Sequence, residues 1–119
     1  MKTYIAGPIS GIALYNRPAF ESARAILSRD GAVCIIPHDL YSPSDNPCSA
    51  MIWCEAMLKC IPALESSDAV CFIDGWESSP GSRREFKIAI DKKIAIYFIF
   101  TIDSANGGYI IETIKGNKI

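Results

Sequence analysis

The chain has 119 residues, half of them hydrophobic, which suits one compact domain over residues 1–119 whose core needs no disulfide or metal. A formal net charge of −1 argues against a nucleic-acid-binding groove. No apolar run approaches the roughly 20 residues of a membrane-spanning helix, and Gly7-Pro8 interrupts the first apolar run too early for a secretory signal. We therefore expect a cytoplasmic protein that does not contact membranes.

Cysteine usage agrees with this expectation. The five cysteines are odd in number and form no C-x-x-C pair, and His38 is the one histidine of the chain. Such a composition predicts no zinc site. It is typical of buried thiols in a reducing compartment.

Apolar segments of strand length alternate with segments of helical periodicity along the chain. The predicted strands are Lys2–Ala6, Ala32–Ile36, Ala69–Ile73 and Ile94–Phe100. The predicted helices are Arg17–Arg29, one that begins near Ala50, and Arg83–Lys92. Pro62 is expected to kink or break the second helix. After Thr101 the pattern fits a strand or a short helix equally well.

Helical spacing also predicts which residues face the core. On the first helix they are Ala19, Phe20, Ala23, Ile26 and Leu27. On the second helix they are Trp53, Ala56, Met57, Cys60 and Leu64. The second strand, Ala32–Ile36, is expected to be buried.

The alternation of strands and helices predicts an α/β fold in three layers, with a mainly parallel sheet of four or five strands between helices. Right-handed crossovers place the strand-to-helix loops at one edge of such a sheet, where its ligands bind. The loops expected there are residues 7–16, 37–47 and 74–82, which are also polar and rich in Gly and Pro. The ligand site is therefore expected at this edge.

Ser82 and Glu85 allow two interpretations. A serine followed three residues later by a glutamate is typical of a capping box at the start of a helix, and the helix dipole favours a carboxylate in the first turn in any case. The other interpretation is a carboxylate that serves an active site. Both interpretations stay open on the local sequence, and one residue could fill both roles.

Two loops carry glycines that a ligand could use. The turn before the glutamate contains Ser79, Gly81 and Ser82, and the amides, hydroxyls and dipole of such a helix start suit a phosphate, although many helices begin in this way. The first loop carries Gly7 and Gly11, without the glycine spacing of a dinucleotide fold or the lysine of a P-loop. These two glycines either permit close approach of a ligand or simply end a strand.

Other polar-loop residues are equally open to two roles. Trp76 lies in a loop at the expected edge, where its ring could stack on a base or cover the sheet. His38-Asp39 could support acid–base chemistry or form a solvated loop pair. Arg83 and Arg84 could meet a small anion.

Five stretches together, YIAGPISG, YNRPAF, SSDAV, DGWESSPGSRREF and DKKIAIY, resemble the nucleoside 2-deoxyribosyltransferase-like superfamily, and especially its small phage and bacterial members. They span residues 4–97. The resemblance implies a flavodoxin-like fold, no metal, no cofactor, and a homodimer or larger homo-oligomer. It also implies cleavage of the base–deoxyribose bond of a nucleotide or nucleoside. That cleavage would be hydrolysis, as in 2′-deoxynucleoside 5′-monophosphate N-glycosidases, or transfer to a second base.

The resemblance implies a catalytic role for Glu85, as a nucleophile or as the stabiliser of an oxocarbenium-like sugar. It implies phosphate or sugar contacts for the turn before Glu85, sugar contacts for the first loop, and a base contact for Trp76. The implied substrate-binding residues are Gly7, Pro8, Ile9, Ser10, Gly11, Asp74, Gly75, Trp76, Ser79, Gly81 and Ser82.

One position departs from the superfamily. Its glycosidases and transferases carry an aspartate eight residues before the acidic residue that opens the third strand, and counting back from Asp68 that position is Cys60. A neutral thiol cannot replace an ionised carboxylate, although Asp74, Glu77 or Asp39 could compensate. The alternative function is a protein that binds nucleotides without turnover, as a sensor or a sponge. A third, a purely structural or interaction domain, leaves the gathered polar loops unexplained.

Overall fold

A five-stranded sheet forms the centre of the protein. The computed structural model describes residues 2–9, 12–29, 31–40, 58–103 and 108–114. The strands are β1 (Lys2–Ala6), β2 (Val33–Ile35), β3 (Ala69–Phe72), β4 (Ala95–Asp103) and β5 (Gly108–Ile114). Their order is β2-β1-β3-β4-β5, in which β1 to β4 are parallel and β5 pairs antiparallel with β4. The predicted flavodoxin-like α/β fold is confirmed.

Helices cover both faces of this sheet. They are α1 (Arg17–Ser28), α2 (residues 58–65 of the described chain) and α3 (Pro80–Asp91). None of the helices in the described part of the chain is long and apolar enough to cross a membrane.

Alternation along β1 separates the two halves of the core, because successive side chains of a strand point to opposite faces. Ile5 belongs to the cluster that includes Phe20 of α1. Tyr4 belongs to the cluster that includes Leu64 of α2 and Ala89 of α3. The sheet is therefore the middle of three layers, with α1 on one side and α2 and α3 on the other.

The strand predictions hold with two changes. β2 is expected to be buried, but Val33 is 66% exposed, because β2 lies at the edge of the sheet formed by the described strands and pairs there with β1. β4 continues to Asp103, beyond its predicted end. After Thr101, where the sequence fits a strand or a helix equally well, residues Gly108–Ile114 form the strand β5.

The helix predictions also need correction. Ala19 is exposed, whereas Phe20 and Ala23 are buried as predicted. In α2, Cys60 and Leu64 are buried as predicted, and the helix continues past Pro62 to residue 65 without a break. The predicted start near Ala50 and the core residues Trp53, Ala56 and Met57 lie outside the described residues.

The start of α3 is three residues earlier than the predicted Arg83. Ser79 is the N-cap, and its hydroxyl accepts from the backbone amide of Ser82 at 3.3 Å. Pro80 takes the first helical position, where its fixed φ suits the helix and its missing N–H costs nothing. This Ser-Pro pair places Glu85 inside the helix, beyond the positions that cap it.

Gly7 is required by packing at the end of β1. A Cβ at this position would lie 2.3 Å from Cγ1 and 2.8 Å from Cδ1 of Ile73, and 3.4 Å from Cζ of Phe20. Both neighbours belong to the buried cluster beneath α1. Close packing therefore explains a glycine here, whether or not a ligand also contacts it.

We expect Gly7→Ala to lower the free energy of unfolding by about 2 kcal/mol, because overfilling a close-packed core costs about 1–3 kcal/mol. Urea denaturation of Gly7→Ala, Ile73→Ala and the double variant tests the cause. Ile73→Ala removes the obstructing atoms, so the added cost of Gly7→Ala should be much smaller in that background. An equal cost in both backgrounds would contradict the steric explanation.

Candidate functional site

The loops after β1 and β3 meet at the carboxyl edge of the sheet, where the topology predicts the ligand site. The backbone amide of Ile73 donates to the carbonyl of Ala6 at 3.0 Å, which aligns the ends of the two strands. Gly75 has a φ of +84°, and a Cβ built on it would lie 3.2 Å from Cγ of Pro8. The first and third predicted loops are therefore in contact.

The first turn of α3 carries a buried hydroxyl without a partner. Gly81 and Ser82 are both buried in this turn. The Ser82 side chain is 1% exposed, and its Oγ has no hydrogen-bond partner among the residues that the structure describes. The amides and the positive dipole end of a helix N-terminus favour an anion. An anion bound there would also give the Ser82 hydroxyl an acceptor.

Glu85 follows Ser82 by three residues, so the two side chains lie on the same face of α3. Glu85 is 3% exposed, and its Oε2 has no hydrogen-bond partner within the described part of the chain. The capping box expected of Ser82 and Glu85 does not form, because Ser79 occupies the N-cap position. The structure therefore excludes the capping role of Glu85. The interpretation of Glu85 as a carboxylate that serves an active site stays a prediction.

Tyr4 and Cys60 complete the surroundings of this carboxyl group. The Tyr4 side chain is fully buried, and its hydroxyl interacts with both the Glu85 carboxyl and the Cys60 thiol. The Tyr4 hydroxyl nevertheless has no hydrogen-bond partner that meets the usual geometric limits among the described residues. We call Tyr4, Cys60, Ser82 and Glu85 the polar cluster.

Sequence reasoning missed Tyr4, although it identified the other three members of the polar cluster. A tyrosine in the middle of a five-residue strand gives no sign of the face it occupies or of its polar neighbours. Its position two residues before the first loop is the one signal that could have found it, since ligands bind beyond the carboxyl ends of such strands.

Burial controls the protonation of the polar cluster. Desolvation raises the pKa of Glu85 from 4.5 to about 7, and the neighbouring Tyr4 hydroxyl opposes this rise. Burial likewise raises the pKa of the Cys60 thiol to about 11 and the pKa of Tyr4 well above its ordinary value, and the Glu85 charge adds to both. At neutral pH the cluster thus holds a neutral thiol, a neutral phenol and a carboxyl populated in both forms.

Trp76 packs against phenylalanine rings of the core. It stacks on Phe86 with ring centroids 4.9 Å apart and planes inclined by 26°. Its centroid also lies 5.0 Å from that of Phe72 and 5.6 Å from that of Phe98. These contacts favour the interpretation that Trp76 covers the sheet edge. A contact between a base and the exposed part of the ring stays a prediction.

His38 and Asp39 are held by contacts to α1 and to the loops around them. His38 Nε2 lies 2.8 Å from the carbonyl oxygen of Tyr15, which can only accept, so this nitrogen carries a hydrogen. Asp39 pairs with Arg24 at 3.1 Å and accepts from the Ile36 amide at 3.2 Å. These contacts favour a structural role for the pair over acid–base chemistry.

The remaining predicted contacts lie on the two loops. Asp74 and Gly75 are exposed. Ile9 is half-buried and packs against the cluster beneath α1. Ser10 and Gly11 lie outside the described residues.

The described residues offer no cluster of His, Cys, Asp and Glu that could hold a metal ion. Cys34, Cys60 and Cys71 are free thiols. Arg83 and Arg84 are exposed near the start of α3, where they are open to an anion in solution.

Comparisons with known proteins give a family and a structural neighbour. Residues 1–98 match a family described as a domain of unknown function (DUF4406). Among solved structures, the chain is similar to a conserved protein from Enterococcus faecalis V583, with a TM-score of 0.59 and 25% sequence identity, over 91% of this chain and 67% of that chain. No curated protein matches the chain. Neither similarity names a substrate or a reaction.

Glu85→Gln is expected to raise the free energy of unfolding at pH 8 and to change it little at pH 5. The pKa of Glu85 is about 7 in the folded protein against an ordinary value of 4.5, so the folded state binds the proton more tightly and loses stability as pH rises through this interval. The full loss above pH 7 is about 3 kcal/mol, and glutamine avoids it.

Urea denaturation at the two pH values measures this difference. Glu65→Gln is the matched control, because the Glu65 side chain is exposed on α2 in an ion pair with Lys92 at 3.6 Å. The same stability change for Glu85→Gln at both pH values would contradict the burial of an ionisable carboxyl group.

Proposed function

The chain belongs to the DUF4406 family, and we propose that this protein cleaves the bond between base and sugar of a nucleotide. The observation that carries the proposal is the pair of unpartnered oxygens on one face of α3, Glu85 Oε2 and Ser82 Oγ. A buried polar atom without a partner costs about 1–3 kcal/mol. Such a cost is expected at sites that exist to bind a ligand.

The position of Ser82 supports a phosphate at the start of α3. Its buried hydroxyl lies in the first turn of a 12-residue helix, whose dipole and free amides favour a negative charge. A phosphate held there would fix one end of the substrate and orient the sugar. Pro80 has no N–H, and the amides of Ser82 and Arg83 already donate to the Ser79 hydroxyl and to the Ser79 carbonyl. We therefore assign the phosphate contact to the Ser82 hydroxyl and the Gly81 amide, and the Ser79 hydroxyl can still donate its own hydrogen.

Glu85 then lies where the sugar of such a nucleotide would reach. In the proposed reaction the carboxylate attacks the anomeric carbon, and the base leaves with the electron pair of the glycosidic bond and takes up a proton. Water hydrolyses the resulting glycosyl ester, or a second base accepts the sugar. The low exposure of Glu85 supports this role, because electrostatic stabilisation of a developing positive charge is stronger away from water.

The resemblance to the nucleoside 2-deoxyribosyltransferase-like superfamily supports the same assignment. The stretch Ser79–Glu85 resembles the run that supplies phosphate contacts and the catalytic carboxylate in the monophosphate glycosidases. The structure adds that the Tyr4 hydroxyl is a neighbour of the Glu85 carboxyl group.

We expect the protein to release free base from at least one nucleoside 5′-monophosphate, and Glu85→Gln to lower kcat by at least about a thousandfold. Because the nucleophile must be ionised and its pKa in the free protein is about 7, kcat/KM should rise with pH through about 7 and level off above it. Chromatography of reactions with a panel of monophosphates, with and without an added acceptor base, measures release and transfer.

Glu65→Gln, on the exposed side of α2, serves as the matched control and should keep the activity. Calorimetry should show that Glu85→Gln still binds the same nucleotide within about tenfold. A Glu85→Gln variant that releases base as fast as the unmodified protein would exclude Glu85 as the nucleophile. Activity that falls as pH rises through 7 would mean that Glu85 acts as an acid.

A second candidate function is nucleotide binding without turnover. The observation that favours it is Cys60, which is 2% exposed beside Tyr4 and remains a neutral thiol because burial raises its pKa to about 11. A neutral thiol cannot act as an ionised carboxylate toward the leaving base. In this case the polar cluster would hold the nucleotide without cleaving it.

Cys60→Asp tests this second function. If the unmodified protein binds a nucleotide without releasing base, the aspartate should add detectable release of the same base, because a second carboxyl group then lies beside Tyr4. Cys60→Asn has nearly the same shape without the charge and should stay inactive. A folded Cys60→Asp variant that binds the nucleotide and releases nothing would show that Cys60 is not what limits turnover.

A further inference from the structure

The surroundings of Glu85 contain more hydrogen-bonding capacity than the proposed bond cleavage uses. The fully buried Tyr4 hydroxyl and the Glu85 Oε2 atom both lack a hydrogen-bond partner among the described residues. The two groups are neighbours across the contact between β1 and α3. The Tyr4 hydroxyl can donate and accept a hydrogen bond, and the Glu85 carboxylate accepts when it is ionised.

The Cys60 thiol lies next to the same hydroxyl but does not use up this capacity. A thiol is a weak donor and a weak acceptor, and the Tyr4 hydroxyl counts no hydrogen-bond partner among the described residues although this thiol is its neighbour. The Tyr4 hydroxyl therefore stays available to a ligand group that can both accept from it and donate to Glu85.

Building on the proposed function, we propose that this pair binds the 2′-hydroxyl of a ribose, so that the substrates are ribonucleotides and not deoxyribonucleotides. When Glu85 faces the anomeric carbon, the 2′-oxygen is only two bonds away from that carbon. A hydroxyl there donates to the Glu85 carboxylate and accepts from Tyr4. Hydrogen bonds to this hydroxyl strengthen as a glycosidic bond breaks.

A deoxyribose would leave the pair unsatisfied. Its 2′-methylene can neither donate nor accept, so both buried polar groups would remain without partners in the complex. Sites built to hydrogen-bond a substrate hydroxyl reject the analogue that lacks it, by factors that reach about 10⁴. Loss of the hydrogen bonds to Tyr4 and Glu85 is expected to give the ribonucleotide at least about a tenfold preference over the deoxyribonucleotide.

The test compares the four common ribonucleoside 5′-monophosphates with their 2′-deoxy counterparts, by calorimetry for Kd and by base release for kcat/KM. We expect at least about a tenfold preference for the ribonucleotide of the preferred base. Tyr4→Phe should weaken binding of the ribonucleotide and leave binding of the deoxynucleotide nearly unchanged. The ratio should therefore fall, while the donation from the 2′-hydroxyl to Glu85 keeps it above one. Tyr97→Phe is the matched control, because Tyr97 packs on the opposite face of the sheet, and it should keep the original ratio.

The outcomes separate this inference from the proposed function. Equal binding of both sugars, or a preference for deoxyribose, overturns the inference and leaves the proposed function standing. Absence of binding by every nucleotide overturns both. If Tyr4→Phe does not fold, the binding affinity of 2′-deoxy-2′-fluoro monophosphates tests the inference instead, because fluorine cannot donate a hydrogen bond to Glu85. They should bind as weakly as the deoxynucleotides, and binding as tight as that of the ribonucleotides contradicts the inference.

Discussion

The contact between α3 and the interior strand β1 determines the candidate site, because it buries the Glu85 carboxyl against the Tyr4 hydroxyl inside a mainly apolar layer. Two polar groups in this position weaken the packing, and Glu85 is left with an oxygen that no described residue satisfies. An apolar pair would make the same helix–strand contact at lower cost. Such a costly arrangement is typical of residues retained for chemistry or binding. The proposed function gives the carboxyl group a ligand as its missing partner.

The start of α3 decides how Glu85 can be used. Proline disfavours a helical conformation in the residue before it, so Pro80 keeps Ser79 out of the helix and makes it the cap. Ser82 and Glu85 are then interior positions one turn apart, and neither is needed to satisfy the end of the helix. The local sequence thus frees two oxygens on one face of the helix, beside the strand that carries Tyr4.

The alternation of strands and helices was sufficient to predict the fold and the edge where the loops meet, because apolar periodicity reports directly on burial. It did not predict that α3 begins at Ser79-Pro80 and not at Ser82, because two sequences typical of helix starts overlap in this segment. The packing of Trp76 on Phe86, Phe72 and Phe98 depends on three separate elements, so no local pattern contains it. The exposure of Val33 follows from the strand order, which the chain order does not fix.

We propose the polar cluster on α3 and β1 as the nucleotide site. The most direct measurement is a crystal structure of the protein with a nucleoside 5′-monophosphate bound to Glu85→Gln, which slows turnover. We expect the phosphate at the amino end of α3 against Ser82, and the anomeric carbon facing the side chain at position 85. A nucleotide bound elsewhere, with the polar cluster closed by contacts within the protein, would contradict it.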